Sequence, residues 1–190
     1  MDQTGMRRQL VTLKELTQLM IPKLYMHLEK SGSDEFFFLF RQLLVWFKRE
    51  FAWNDVCLLW EVLWTDALSG QFHLFVALAI LDRHKEVIMG ILPSFPKSAA
   101  SPPFNLEVLT FVGTEHLRGF DEVLKYINDL SMTIDLDSTL IRAEVLFYRF
   151  QGTVELIDRK NAERKVQGKE PEVTISDELR GLLKKEHPKE

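Results

Sequence analysis

Apolar residues recur along this chain at steps of three and four, and no strand pattern is visible, so the reading is helical throughout. The densest window is 34–66, which holds all four tryptophans. Within it Phe36, Phe40, Leu43, Phe47 and Phe51 mark one face. Asp34, Arg41 and Lys48, with Glu35, Gln42 and Arg49 beside them, mark a polar stripe, and the spacing predicts one amphipathic core helix. Asn54 is placed to cap a second, shorter helix in which Val56, Leu59, Trp60 and Leu63 repeat the period as far as Trp64. Arg41, Lys48 and Arg49 interrupt the apolar runs well before the roughly 20 residues that a bilayer span needs.

The flanks continue the pattern. Leu10, Leu13, Leu16 and Met20 share a face opposite Lys14, Glu15 and Gln18. Pro22 should end that helix and open a short second one through Leu28, before a turn at Ser31-Gly32-Ser33. Phe72 to Leu81 contains a single polar side chain, His73, ahead of the charged Asp82-Arg83-His84-Lys85-Glu86, which predicts a helix buried at its start and wet at its end. His73 by itself reads as a satisfied or rim histidine rather than a ligand.

Gly90 to Thr114 breaks the rhythm, with prolines and serines crowded between Leu92 and Pro103. It reads as a loop or a retained-intron insertion, because without it Ile88, Leu117 and Phe120 would share one helix. Phe120 to Leu130 is again helical, closed by Ser131-Met132-Thr133, and Asp135 or Asp137 can cap the next helix. There Leu136, Leu140, Ala143, Phe147, Phe150, Val154 and Ile157 form a seam of about three heptads. An intramolecular face or a coiled coil gives that pattern, with Gly152 against the latter. Past Asp158 mixed charges predict a solvated tail, in which Ile175 to Leu183 has the makings of a short docking helix.

Composition narrows the class. With 46% hydrophobic residues in 190, the chain can fill one real core. The formal charge of -4 gives no footprint of a nucleic-acid binder, and the opening MDQTGMRRQL has no signal-type apolar run. The single Cys57, within an apolar helix, excludes an internal disulfide and points to a reducing compartment or a buried thiol, with cytosol the default.

No phosphate loop, dinucleotide fingerprint, zinc-protease motif, paired CxxC or nucleophile elbow occurs. The acidic pairs Asp34-Glu35 and Asp121-Glu122 fall at expected helix starts, where carboxylates favour the positive end of the macrodipole. The residues alone thus describe an all-α domain of undisclosed activity.

The wording of the central stretch goes further. FFFLFRQLLVWFKREFAWNDVCLLWEVLWTD, then QFHLFVALAILDRHKEVIM, FDEVLKYINDLSMTIDLDSTLIRAE and the opening DQTGMRRQL closely resemble the C-terminal half of TBC-domain Rab GTPase-activating proteins, the fungal vacuolar Gyp-type branch in particular. The resemblance implies a multi-helix array without a sheet. Residues 1–164 would form the TBC part, with the insertion at 90–114, and 165–190 the charged tail. It also implies a Rab/Ypt GTPase as partner, which itself holds the GTP and Mg, and no cofactor of the chain's own. The implied location is cytoplasmic, at endosomal or vacuolar membranes through the Rab. Trp46, Phe47, Glu50, Phe51, Trp60 and Glu61 match the family's recurring words and are expected to hold helices together, with the acid after the tryptophan anchoring a loop or a basic group.

Family members donate an arginine from IxxDxxR and a glutamine from YxQ. The arginine neutralises charge on the transferring phosphoryl group and the glutamine orients the attacking water. Neither motif is here. Ile134 and Asp137 have the opening spacing, but Leu140 stands where arginine should. Tyr25, Tyr126 and Tyr148 are followed two residues on by His27, Asn128 and Phe150. No catalytic residue carries over, so the expectation is a truncated activator without either finger, or a non-catalytic helical module that binds a Rab or another protein. Apolar side chains left exposed on such a fragment would promote self-association.

Overall fold

The computed structural model describes residues 3–90 and 119–184, and among these the chain is all-helical, with no strand. Helices α1 (Gln3–Met20) and α2 (Pro22–Lys30) divide where proline dictates. Pro22 occupies the first turn of α2, where an N–H has no helical partner to lose. Beyond α2, Gly32 adopts a φ of 68° and lets the Ser33 N–H turn back onto the Leu28 carbonyl at 2.8 Å. Leu10, Leu13, Leu16, Leu24 and Leu28 enter the core.

The single helix expected over 34–51 is not formed. The chain makes a 3-10 turn (Phe37–Leu39), a five-residue helix α3 (Phe40–Leu44) and a run of turns to Phe51. Phe36, Trp46 and Phe47 have left-handed backbones, at φ 60°, 50° and 59°. The cause is packing. Phe36 and Phe38 are both buried, yet on one straight helix they would point about 200° apart. Breaking the helix brings Phe36, Phe38, Leu39, Leu43, Phe47 and Phe51 into one core and leaves Phe40 outside. Each left-handed residue costs about 1–2 kcal/mol. Each buried side chain returns about 1.5–3 kcal/mol, which offsets the strain.

Two smaller expectations change with it. Asp34 and Glu35 start no helix. Both instead meet Lys14 of α1, at 2.8 and 3.2 Å, and the Lys14 contact holds the Asp34 carboxyl below its usual range. Helix α4 (Trp53–Trp64) begins one residue before Asn54, with Ala52 at the N-cap, so Asn54 is no cap. Cys57 is exposed on α4, not buried.

Helix α5 (Phe72–Ile88) is the centre, with every residue from Phe72 to Leu81 buried. Helix α6 (Phe120–Asp129) opens with the Glu122 carboxylate accepting the Gly119 N–H at 3.3 Å. Helix α7 (Leu136–Val166) is capped by Asp135, which accepts the Ser138 N–H at 2.9 Å, and it lies along α5. The Phe75 ring of α5 meets Phe147 edge-on at 5.3 Å and Phe150 at 5.7 Å. Leu136, Ala143, Phe147, Phe150 and Val154 are buried, and Leu140 and Ile157 pack at the margin, so this seam is satisfied inside the chain. Helix α7 runs unbroken through Gly152.

The tail is exposed over residues 165–174, and the short docking helix expected within Ile175 to Leu183 forms and packs on the core. Helix α8 (Asp177–Gly181) buries Leu179, with Ile175 and Leu182 on either side. The Ser176 hydroxyl donates to Glu15 of α1, Arg180 makes two bonds to Asp158 of α7, and the Lys184 carbonyl accepts the Gly70 N–H at 3.4 Å. Beyond Gly90, the insertion expected at 90–114 and the helix continuity through Leu117 lie outside the described residues.

Candidate functional site

The residues singled out by the family wording converge on the corner where the broken segment meets α4 and α5. Trp46 is its pivot. The left-handed backbone there aims the carbonyl at α4, where it accepts the Trp60 indole N–H at 2.9 Å. The Trp46 ring stacks on His73 of α5, with centroids 5.3 Å apart. Trp60 is in turn 5.8 Å from Trp64, and an open groove is lined by Val45, Trp46, Lys48, Trp60 and Trp64. Trp64 is largely exposed, so the groove presents an aromatic rim beside Lys48, and Trp53 is also exposed at the start of α4.

Behind the rim is a polar core. Glu50 is buried, 3.5 Å from the Arg41 guanidinium, and one of its carboxylate oxygens accepts the Arg49 N–H at 3.2 Å. Burial pushes its carboxyl above the usual range, while the two arginines and that N–H pull it back. The Glu50 carbonyl accepts the Met132 N–H at 2.9 Å and the Ser131 hydroxyl donates to the Arg49 carbonyl, which fastens this corner to the turn between α6 and α7. Phe47 and Phe51 are fully buried and 6.5 Å apart. Glu61 takes no part in these contacts. Its side chain is exposed, and it has no ion pair among the described residues.

Two buried polar side chains at this level escaped sequence reasoning. Gln42 belongs to the predicted polar stripe, yet it is buried, and neither its amide oxygen nor its nitrogen has a hydrogen-bond partner. His73 is buried rather than at a rim, its Nε2 is unpartnered, and desolvation lowers its pKa to about 4. Only the loss of helical periodicity after Leu44 could have exposed Gln42, and the regular spacing of Phe47 and Phe51 conceals that loss.

Among the described residues no three or more His, Cys, Asp or Glu side chains gather as for a metal, and no helix is long and apolar enough to cross a membrane. Tyr25, Tyr126, Tyr148 and Leu140, the positions nearest to finger motifs, are spread over α2, α6 and α7. The Tyr126 hydroxyl is 2.8 Å from His84 Nδ1, and Leu140 packs against the core. What the arrangement offers is an open groove with exposed aromatic side chains.

Residues 1–89 match the Rab-GTPase-TBC domain. Across 96% of its length the chain is 56% identical to the GTPase-activating protein GYP7 of Yarrowia lipolytica, and across 97% it is 45% identical to the GYP7 of Debaryomyces hansenii. Over 82% of the chain it is 37% identical to human TBC1 domain family member 17. The chain spans 22%, 22% and 20% of those relatives' own lengths.

Proposed function

We propose that this chain, whose residues 1–89 match the Rab-GTPase-TBC domain, is a helical frame within a Rab/Ypt GTPase-activating protein, one that engages the GTPase without supplying either catalytic finger. The Rab itself holds the GTP and Mg. The chain's contribution is binding and the positioning of whatever arginine and glutamine are donated from outside these residues. The reading puts it in the cytoplasm, peripheral to endosomal or vacuolar membranes through its GTPase. The observation that supports it is 56% identity to a GTPase activator over 96% of the chain, together with the absence of IxxDxxR and YxQ from these 190 residues.

A non-catalytic interaction module is the second reading, favoured by the exposed Trp64 in the groove with Lys48. Self-association through exposed apolar surface completes the set of partners we assign. A pull-down with GTP-loaded and GDP-loaded Rab tests the first reading. Retention of the GTP form over the GDP form is expected, and equal or absent retention of both contradicts it.

A further inference from the structure

The face of α7 turned away from the core carries a second periodic pattern. Ile141, Val145 and Tyr148 are 64%, 60% and 53% exposed, and their steps of four and three place them on one outward stripe. Gly152 continues it four residues on, and a Cβ added there would meet nothing within 4 Å. These residues are diametrically opposite the buried Ala143, Phe150 and Val154, so the stripe is a ridge, not a margin of the core. From Ser138 to Gly152 it runs about 21 Å, two heptads.

The flanks of this stripe carry opposite charge. Asp137 and Glu144 are on one side, and Arg142 and Arg149 on the other. In heptad terms Val145 and Gly152 take a positions, Ile141 and Tyr148 take d positions, the acids take g, and the arginines take e. Each acid precedes an arginine by five residues, the offset at which a g residue meets the e residue of a parallel partner. Arg142 is already bound to Asp82 within the chain. Glu144 and Arg149 have no ion-pair partner among the described residues, so they are the pair available to a second helix.

We propose that this ridge is a homodimer interface, in which α7 pairs parallel and in register with α7 of a second copy of this chain. Ile141, Val145 and Tyr148 form the seam, and Glu144 bonds Arg149 of the other copy twice, once on each side of the two-fold axis. Antiparallel pairing is disfavoured by the same charges, because it brings acid flank to acid flank and arginine flank to arginine flank. Gly152 meets its own equivalent at an a position, contributes no side chain there and so ends the seam. With only three apolar side chains in the seam, the association is reversible and not that of a permanent dimer. This assignment rests on the self-association reading above and names its face and direction.

The test is sedimentation equilibrium of the full chain in a Cys57→Ser background, which removes disulfide crosslinking through the exposed thiol. The unmodified ridge should give a concentration-dependent monomer–dimer equilibrium. Glu144→Arg and Arg149→Glu should each weaken dimerisation about tenfold by replacing two attractions with two repulsions, and the double reversal should restore it. Circular dichroism of dilute samples should show all three variants folded as the parent. A monomer at every concentration overturns both this interface and self-association in general. A dimer whose affinity ignores the single reversals leaves self-association standing and overturns the parallel α7 interface.

Discussion

The Trp60 indole donates its N–H to the Trp46 carbonyl at 2.9 Å, joining α4 to a backbone position that only a left-handed turn could aim there. This bond links the two strained residues Trp46 and Phe47 to a helix that is otherwise held by packing. Trp60→Phe keeps an aromatic ring and removes the donor. It should cost about 1 kcal/mol of unfolding free energy in urea titrations. Trp64→Phe, at a side chain 71% exposed, should stay within about 0.5 kcal/mol.

Glu50 separates size from charge. Glu50→Gln retains the volume and an oxygen for the Arg49 N–H, and the carboxyl it replaces is already raised by burial. It should change stability by less than about 1 kcal/mol at neutral pH. Glu50→Ala leaves a cavity beside Arg41 and should lose about 2–3 kcal/mol. Denaturant titration of the two variants side by side reads the difference.

Acid should destabilise the fold through its histidines. His73 and His84 both have pKa values lowered to about 4 by desolvation, with Arg83 adding to the effect at His84, against an unfolded value near 6.5. The unfolded chain therefore binds their protons first, and stability falls as pH drops from about 6.5 towards 4, by about 2 kcal/mol per histidine at pH 5. Glu50 acts with the opposite sign, since its raised carboxyl favours the folded state at low pH. Comparing urea midpoints at pH 7 and pH 5 for the parent and His73→Gln should show the variant with the smaller pH dependence.

Much of this architecture was legible in the residues. Pro22 fixed the break between α1 and α2, Asp135 fixed the start of α7, and the seam from Leu136 to Val154 fixed its buried face, because each acts through neighbours close in sequence. The segment 34–51 departs from the single helix its spacing predicts for a physical reason. Phe36, Phe47 and Phe51 keep helical spacing while reaching the core by a non-helical path, and burial sets that path, not local propensity. The environments of Gln42, Cys57 and Glu61 depend on where α4 and the turns come to rest, which no short-range pattern encodes. The docking of α8 hinges on Glu15, Asp158 and Gly70, all distant in the chain.

The return of α8 should matter to the whole domain. Leu179 is buried between flanking Ile175 and Leu182, so Leu179→Asp places an unpaired carboxylate in an apolar site. We expect a loss of about 2–4 kcal/mol. Limited proteolysis should then cut the Gln167–Thr174 connection faster in the variant than in the parent.

On the proposed function, these helices frame a GTPase activator without carrying its catalytic side chains. Single-turnover GTP hydrolysis by a vacuolar-type Rab, with and without the 190-residue chain in excess, tests it most directly. The rate should stay within about twofold of the intrinsic rate, since a donated arginine alone is worth about 10³ to 10⁵. Acceleration approaching that range would contradict the account.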